Sequence, residues 1–285
     1  MTTEEENRAL MVSDDEETGI QVQQMSALAA IAKSEVESQL DAAHKYPRSI
    51  KRFIDEANAM VSRSVDVAEM CFYSLPRDGK QIMGPSVRLA EISASAYGNL
   101  HVGARPLEVG DADTVCTAQG VAWDLQKNVR VTVEKTRRIT RSNGSRYSDD
   151  MVIVTQNAAA SIALRDAIFR VIPRAYINEI YDRARAVAVG DEKAIGERRI
   201  SVMSKLTKMG ATAERVLAKI GRTDIEQITK EDLEALIGMG TAIKDGQLKV
   251  DDAFPEVTKP AEPVANGDAG KRMHLGEKGE DGSQG

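Results

Sequence analysis

Between positions 100 and 140 the chain alternates apolar and polar residues in three successive runs, separated by breaks of only three or four residues. The runs are Leu100 to Val109, Thr114 to Leu125 and Val129 to Thr140, joined by Gly110-Asp111-Ala112-Asp113 and Gln126-Lys127-Asn128. A period of two is the mark of a half-buried strand. Breaks this short cannot carry a crossover to a parallel neighbour, which needs about a dozen residues. The segment therefore predicts an antiparallel meander. In the second run Val115, Val121, Trp123 and Leu125 share a face, and Trp123 is expected in the core. In the third, Val129, Val131 and Val133 point inward, and Arg130, Thr132 and Glu134 outward.

The segments around the meander change period. Met25, Leu28, Ala29, Ala32, Val36 and Leu40 recur at helical spacing, and Tyr46-Pro47 ends that run. Pro47 is placed to open a second helix, with Ile50, Phe53, Ile54, Ala57 and Val61 as its apolar stripe. Residues 68–83 read as a strand, a turn at Leu75-Pro76-Arg77-Asp78-Gly79 and a return strand, a hairpin expected to extend the meander. A helix from Gly84-Pro85-Ser86 to Tyr97 stops at Gly98. After the loop 141–150 comes a long helix, about 151–172, broken by Pro173, and another to about Val189. The rest is helical, with Thr229 to Asp232 as an N-terminal capping pattern. The fold class expected is α+β: an antiparallel β-meander packed by helices, a helical C-terminal third and disordered acidic termini. The domains are an acidic N-terminal segment 1–19, an α+β core 20–190, a helical region 191–252 and a tail 253–285.

Charge divides along the same boundaries. The 285 residues carry a net charge of −6. Residues 1–19 hold seven acids and one base, and residues 251–285 hold eight acids and four bases, so the middle is left with +4. An acidic whole hides a basic centre, and the sign of the centre is what bears on an anionic partner. No run approaches the ~20 apolar residues of a membrane span, and the acidic start lacks a signal-peptide pattern. A cytoplasmic location is the expectation, with no membrane partner.

Enzymatic signatures are missing. There is no phosphate-binding G-x-x-x-x-G-K-[ST], no G-x-S-x-G and no H-E-x-x-H. Cys71 and Cys116 form no C-x-x-C, and His44, His101 and His274 have no ligand spacing to them, so two buried thiols are expected and no zinc. Asp111 and Asp113 read as turn residues, and Asp149 and Asp150 as acids favoured at a helix start. Glu134 and Lys135 are adjacent, so they cannot supply the Glu-x-Lys pair of a metal-dependent nuclease strand. No cofactor, no metal and no catalytic residue is expected.

The positive feature is basic. Lys127, Arg130, Lys135, Arg137, Arg138, Arg141 and Arg146 fall within twenty residues that contain one acid, Glu134. Alternation places Lys135 and Arg137 on one face and Arg130 and Arg138 on the other. Such a cluster can neutralise phosphates and release their counterions; a charged, solvated strand edge is the competing reading. Tyr147 and Trp123 are near enough in sequence to stack on bases. On the helix that follows, Asn157, Ser161 and Arg165 form one stripe, with Ile162, Phe169 and Ile172 on the buried side. Arg170 and Arg174 continue the charge to the Pro173 break. Together these residues predict a cationic groove between sheet and helix.

A resemblance adds to this. Gly84-Pro85-Ser86-Val87-Arg88-Leu89-Ala90-Glu91, Tyr97-Gly98-Asn99-Leu100, Ala122-Trp123-Asp124-Leu125, Arg137-Arg138, Gln156-Asn157-Ala158-Ala159-Ala160 and Arg170-Val171-Ile172-Pro173 occur in an order that resembles phage recombination proteins. More distantly the chain is similar to the RecT/Redβ-type single-strand annealing proteins. The stretch from Ile225 to Leu233 and on through Ala242 to Gly246 resembles their C-terminal part. The resemblance covers about residues 25–255. It implies a DNA-binding protein that anneals complementary single strands in ATP-independent recombination. It also implies a homo-oligomer, since one subunit's groove is short beside a useful duplex, and a phage exonuclease or the host single-strand-binding protein as further partner. A low aromatic share (4 %) suits holding the backbone rather than reading bases. The alternatives are a phage structural or assembly protein whose basic cluster is incidental, and a metal-dependent nuclease using Asp111, Asp113 or Asp149.

Overall fold

The computed structural model describes residues 27, 29–77, 80–110 and 112–256. The acidic segment 1–19, most of the tail and Asp111 lie outside them. The described chain is α+β.

Helix α1 covers 29–45 and is largely exposed. Helix α2, Ile50–Val61, starts at Ser49, whose hydroxyl accepts from Arg52 N. Pro47 therefore stands two residues before the cap rather than in the first turn. Phe53, Ala57 and Val61, four apart, are the buried row of α2. A short helix, α3 (Val65–Glu69), leads into strands β1 (Phe72–Arg77) and β2 (Lys80–Pro85). These pair antiparallel as the expected hairpin, but they form a sheet of their own. The face of β1 is taken by a helix from the C-terminal region: a Cβ on Gly238 would lie 2.7 Å from Ser74 N and Cβ. A hairpin seated on that helix does not extend the meander.

Helix α4, Val87–Tyr97, is capped by Ser86, which accepts from Leu89 N and donates to Met70 O. Gly98 (φ 66°) and Asn99 (φ 51°) then turn the chain through the left-handed region into the meander. Its strands are β3 (Leu100–Pro106), β4 (Val115–Asp124) and β5 (Val129–Arg138), antiparallel in the order β3-β4-β5. Helix α5, Asp149–Val171, lies across one face.

The face α5 covers is not the one with the large residues. Cys116, Ala118, Gly120, Ala122 and Asp124 are buried, and Val115, Val121 and Trp123 point away. Trp123 is half-buried on the outer face and not in the core. The cause is close approach. A Cβ on Gly120 would sit 2.3 Å from the Ala163 carbonyl carbon and oxygen. Ala159, Ala163 and Ala167 are fully buried. Small residues on both sides let the helix backbone rest on the sheet, and the bulky residues are displaced to the other side.

Pro173 ends α5 as expected, and α6 (Arg174–Val189) follows immediately. Helices α7 (Ile195–Lys208), α8 (Ala213–Lys219), α9 (Lys230–Lys244) and α10 (Val250–Ala253) complete the described residues, with a 3₁₀ turn at Ile225–Gln227. Thr229 and Asp232 form the capping box of α9. The boundary expected at 252/253 falls inside α10, and Phe254 beyond it is fully buried. One core joins α2, α4, α5 and α6 around Phe53, Tyr97 and Ile168; a second joins α3, β1, α7 and α9 around Phe72, Leu206 and Leu236. Arg48 ties the α1–α2 connection to the end of β4. Its guanidinium grips both oxygens of Asp124 and stacks 3.9 Å over the Tyr97 ring. Asp124 also accepts from Gln126 N and Lys127 N, fixing the β4–β5 turn.

Candidate nucleic-acid interface

The basic residues of β5 and its flanks are divided between two faces. Antiparallel register puts Lys135 opposite Ala118 and Arg137 opposite Cys116, on the α5 side. Arg130 lies opposite Trp123 and Arg138 opposite Val115, on the outer side. Lys127 is exposed in the β4–β5 turn and Arg141 in the loop after β5. Arg146 is committed to the β3–β4 connection: its Nη1 donates to the carbonyls of Gly110 (2.9 Å) and Asp113 (3.2 Å). Asn157 is exposed on α5. At Gly120 the body of α5 lies directly on the sheet.

The concavity forms one layer further on, where the C-terminal half of α5 and the start of α6 meet the β1–β2 hairpin. Arg165, Arg170 and Arg174 converge there with Tyr73 and Gly84 on a hollow of about 230 Å³. Arg165 lies over the Tyr73 ring at 4.9 Å and pairs with Asp166 at 2.8 Å. Lys135 reaches the same Asp166 carboxylate at 2.8 Å, so one cation of β5 joins the group. Arg174 donates to the neutral Asn178 Oδ1. Neither Arg170 nor Arg174 has a described carboxylate within ion-pair distance, while Arg165 and Lys135 share one.

Glycine at 84 leaves room for the Tyr73 ring in the hollow's wall: a Cβ there would meet the Tyr73 hydroxyl at 2.8 Å, and the ring would have to shift. Tyr73 and Gly84 are the site residues that reading the sequence missed. Their signals were present, in the alternation of β1 and in the Gly84-Pro85 pair. Burial works to raise the Asp166 carboxyl, but Lys135 and Arg165 outweigh it and hold the group below the ordinary aspartate value. Asp245, pushed up by burial despite the nearby Arg88, is a further acid in the electrostatic neighbourhood of Arg165.

Among the described residues no three or more His, Cys, Asp or Glu side chains are placed to hold a metal ion. Asp113 accepts from Gly110 N at 2.6 Å, a local turn contact, and Asp149 and Asp150 occupy the first turn of α5. Cys71 and Cys116 are buried free thiols; burial pushes Cys71 up to about 12. No described helix is long and apolar enough to cross a membrane. Comparison with protein-family models, with curated proteins and with solved structures gives no match for this chain.

Proposed function

We propose that this chain binds single-stranded DNA by its phosphate backbone and anneals complementary strands without ATP, as RecT/Redβ-type proteins do. The observation that carries the reading is the convergence of Arg165, Arg170 and Arg174 with Tyr73 on one hollow, two of the three guanidiniums having no carboxylate partner among the described residues. Guanidinium forks match phosphate oxygens in pairs, and contacts to phosphate carry no sequence preference. Annealing needs that division: the backbone is held, and base edges stay free to pair. The chain acts as a homo-oligomer in this reading, bound to DNA inside the host cytoplasm. Its support is α1, a helix that leaves Ile31 56 % exposed. A phage exonuclease or the host single-strand-binding protein is the further partner.

The same exposed helix favours a second reading, a phage assembly protein whose arginines are incidental. Labelled single strands incubated with the protein and Mg²⁺ separate the readings. Bound strands and annealed duplex support the proposal. Intact, unbound strands favour the assembly protein, and cleaved strands a nuclease.

A further inference from the structure

Among the described residues α1 touches the outer face of the meander at His101, whose Nδ1 lies 3.1 Å from Gln39 Oε1, and most of the face is left open. Its side chains are exposed on β3 and β5 and half-buried on β4. The register sets them in rows across the three strands. His101, Trp123 and Arg130 form one row, Gly103, Val121 and Thr132 the next, and Arg105, Gln119 and Glu134 the third. The third row is a hydrogen-bonded ladder: Arg105 Nη2 donates to Gln119 Oε1 (3.0 Å), and Gln119 Nε2 donates to Glu134 Oε1 (3.3 Å). In the first row the Arg130 guanidinium lies 5.9 Å from the Trp123 ring centre, and Trp123 Nε1 donates to Asn128 Oδ1 (3.3 Å). Between these rows the sheet is hollowed, leaving a dish of about 240 Å³ lined by His101, Gly103, Arg105, Gln119, Val121 and Arg130, with Trp123 beside its rim as the next residue after Val121 on the same face of β4.

Two features of this face have no explanation in the fold. Gly103 sits in the middle of a strand, where glycine weakens the structure, yet its backbone is not left-handed and a Cβ would meet nothing within 4 Å. Packing does not require it; an open dish does. The chain's one tryptophan spends much of its ring on the outside of a sheet whose inside is alanine and glycine. The charge is one-sided as well. Arg105, Arg130 and Arg138 stand against Glu134, which is held by Gln119.

We propose that this outer face is a second nucleic-acid surface, on the side of the sheet away from α5, that receives an unpaired base of a single strand. The base lies in the dish over Gly103 and Val121, against Trp123. The flanking phosphates lie on Arg105 and Arg130. An aromatic ring and guanidinium planes stack on any base, so the surface is sequence-tolerant. The proposal rests on the reading of the chain as a single-strand binder and adds where a base is held.

Trp123 is itself the probe. The full chain is titrated with fluorescein-labelled oligothymidine at fixed salt, and anisotropy of the label is read beside the emission of Trp123. The expected result is quenching of Trp123 along the same isotherm as the anisotropy. Gly103→Val fills the dish with a good strand former. It should keep the parent's melting curve, abolish the quenching and weaken binding about tenfold, one stacking contact's worth. Arg130→Gln is the second variant and should weaken binding in the same direction. Binding by anisotropy with unchanged Trp123 emission overturns the outer face and leaves the arginine hollow standing. Quenching that survives Gly103→Val, or Trp123 emission that shifts with protein concentration alone, also overturns it. No anisotropy change at all overturns the single-strand reading and this proposal with it.

Discussion

Replacing Gly120 with alanine adds one methyl group where the structure has no room for it. The new Cβ would lie 2.3 Å from the carbonyl carbon and oxygen of Ala163 and 2.6 Å from Leu164 N. Carbon contacts relax at about 3.5–4.0 Å, so α5 must withdraw by about 1 Å or more. The obstacle is helix backbone and not a side chain that can rotate aside. Withdrawal opens a gap along the row of Cys116, Ala118 and Ala122 facing Ala159, Ala163 and Ala167, all buried. A gap of that size forfeits about a quarter to a half of each contact's dispersion energy. Overpacking costs about 1–3 kcal/mol in general, and the backbone obstacle places this case at about the upper end. For a domain of this size each kcal/mol moves Tm by about 2–4 °C, so Gly120→Ala should melt roughly 6–12 °C below the parent. The control lies one strand away: Gly103→Ala adds the same methyl group into open space. It relieves the chain entropy of a strand glycine and should change Tm by no more than about 2 °C. Thermal melts followed by circular dichroism measure both. Equal melting temperatures for the two variants would refute the seating of α5 on β4.

Single-strand binding should weaken with salt: if about four phosphates are neutralised, log K falls against log salt with a slope near −3, and a flat dependence removes the phosphate reading. Arg170→Ala and Arg174→Ala should each weaken binding and make that slope shallower by about 0.7; of the neighbouring pair, Arg137, on the α5 side, should matter more to this hollow than Arg138, and equal affinity in all four variants moves the site off it. The Asp166 carboxyl is held low by Lys135 and Arg165. Its contribution to stability is therefore present above the unfolded value of about 3.9 and is lost as pH falls through the folded value. The stability gap between the parent and Asp166→Asn, read by urea melts, should be constant from neutral pH to about pH 5 and shrink below about pH 4. Neither cysteine should react with a thiol reagent at pH 8 in the folded chain, since both are buried and Cys71 titrates only near 12; prompt reaction of either would show that the core opens.

The meander was legible because everything that defines it is local: a period of two, three runs, and connections too short for a crossover. Which face the helix would cover was not. Hydrophobicity ranks valine and tryptophan above alanine and glycine, and on that scale Val115, Val121 and Trp123 belong inside. What decides is the distance between two backbones, set by Gly120 and Ala163 together, and no local pattern reports a contact between distant segments. The hairpin shows the same division. Its two strands were readable in residues 68–83, although Leu75, Pro76 and Arg77, read as turn, belong to β1, and its separation from the meander depends on Gly238 lying against Ser74. The arginines 165, 170 and 174 were visible as a run of charge toward Pro173. Their shared hollow was not, because Tyr73 and Gly84 enter it from the far side of the chain.

Counting arginines near one another is a poor measure of free positive charge, and the physical reason is the fork of donors each carries. A guanidinium satisfied by carbonyls or a carboxylate of the fold has little left for a ligand. Arg146 closes the cluster, yet Gly110 and Asp113 take it up. Arg48, remote from that cluster, has the most buried ion pair among those described, with both side chains about 5 % exposed or less. Arg199 donates to Ile228 O, Arg215 to Phe254 O and Asp251, and Arg222 to Asp232. Each pins a helix of the C-terminal region to a neighbouring segment. Arg170 and Arg174, by contrast, meet no acid of the described residues within ion-pair distance and face a hollow. The +4 of the middle of the chain is thus unevenly available. Part of its arginine holds the fold together, while among the described residues Arg170 and Arg174 at the α5–α6 junction and Arg130 and Arg138 on the outer face pair with no carboxylate.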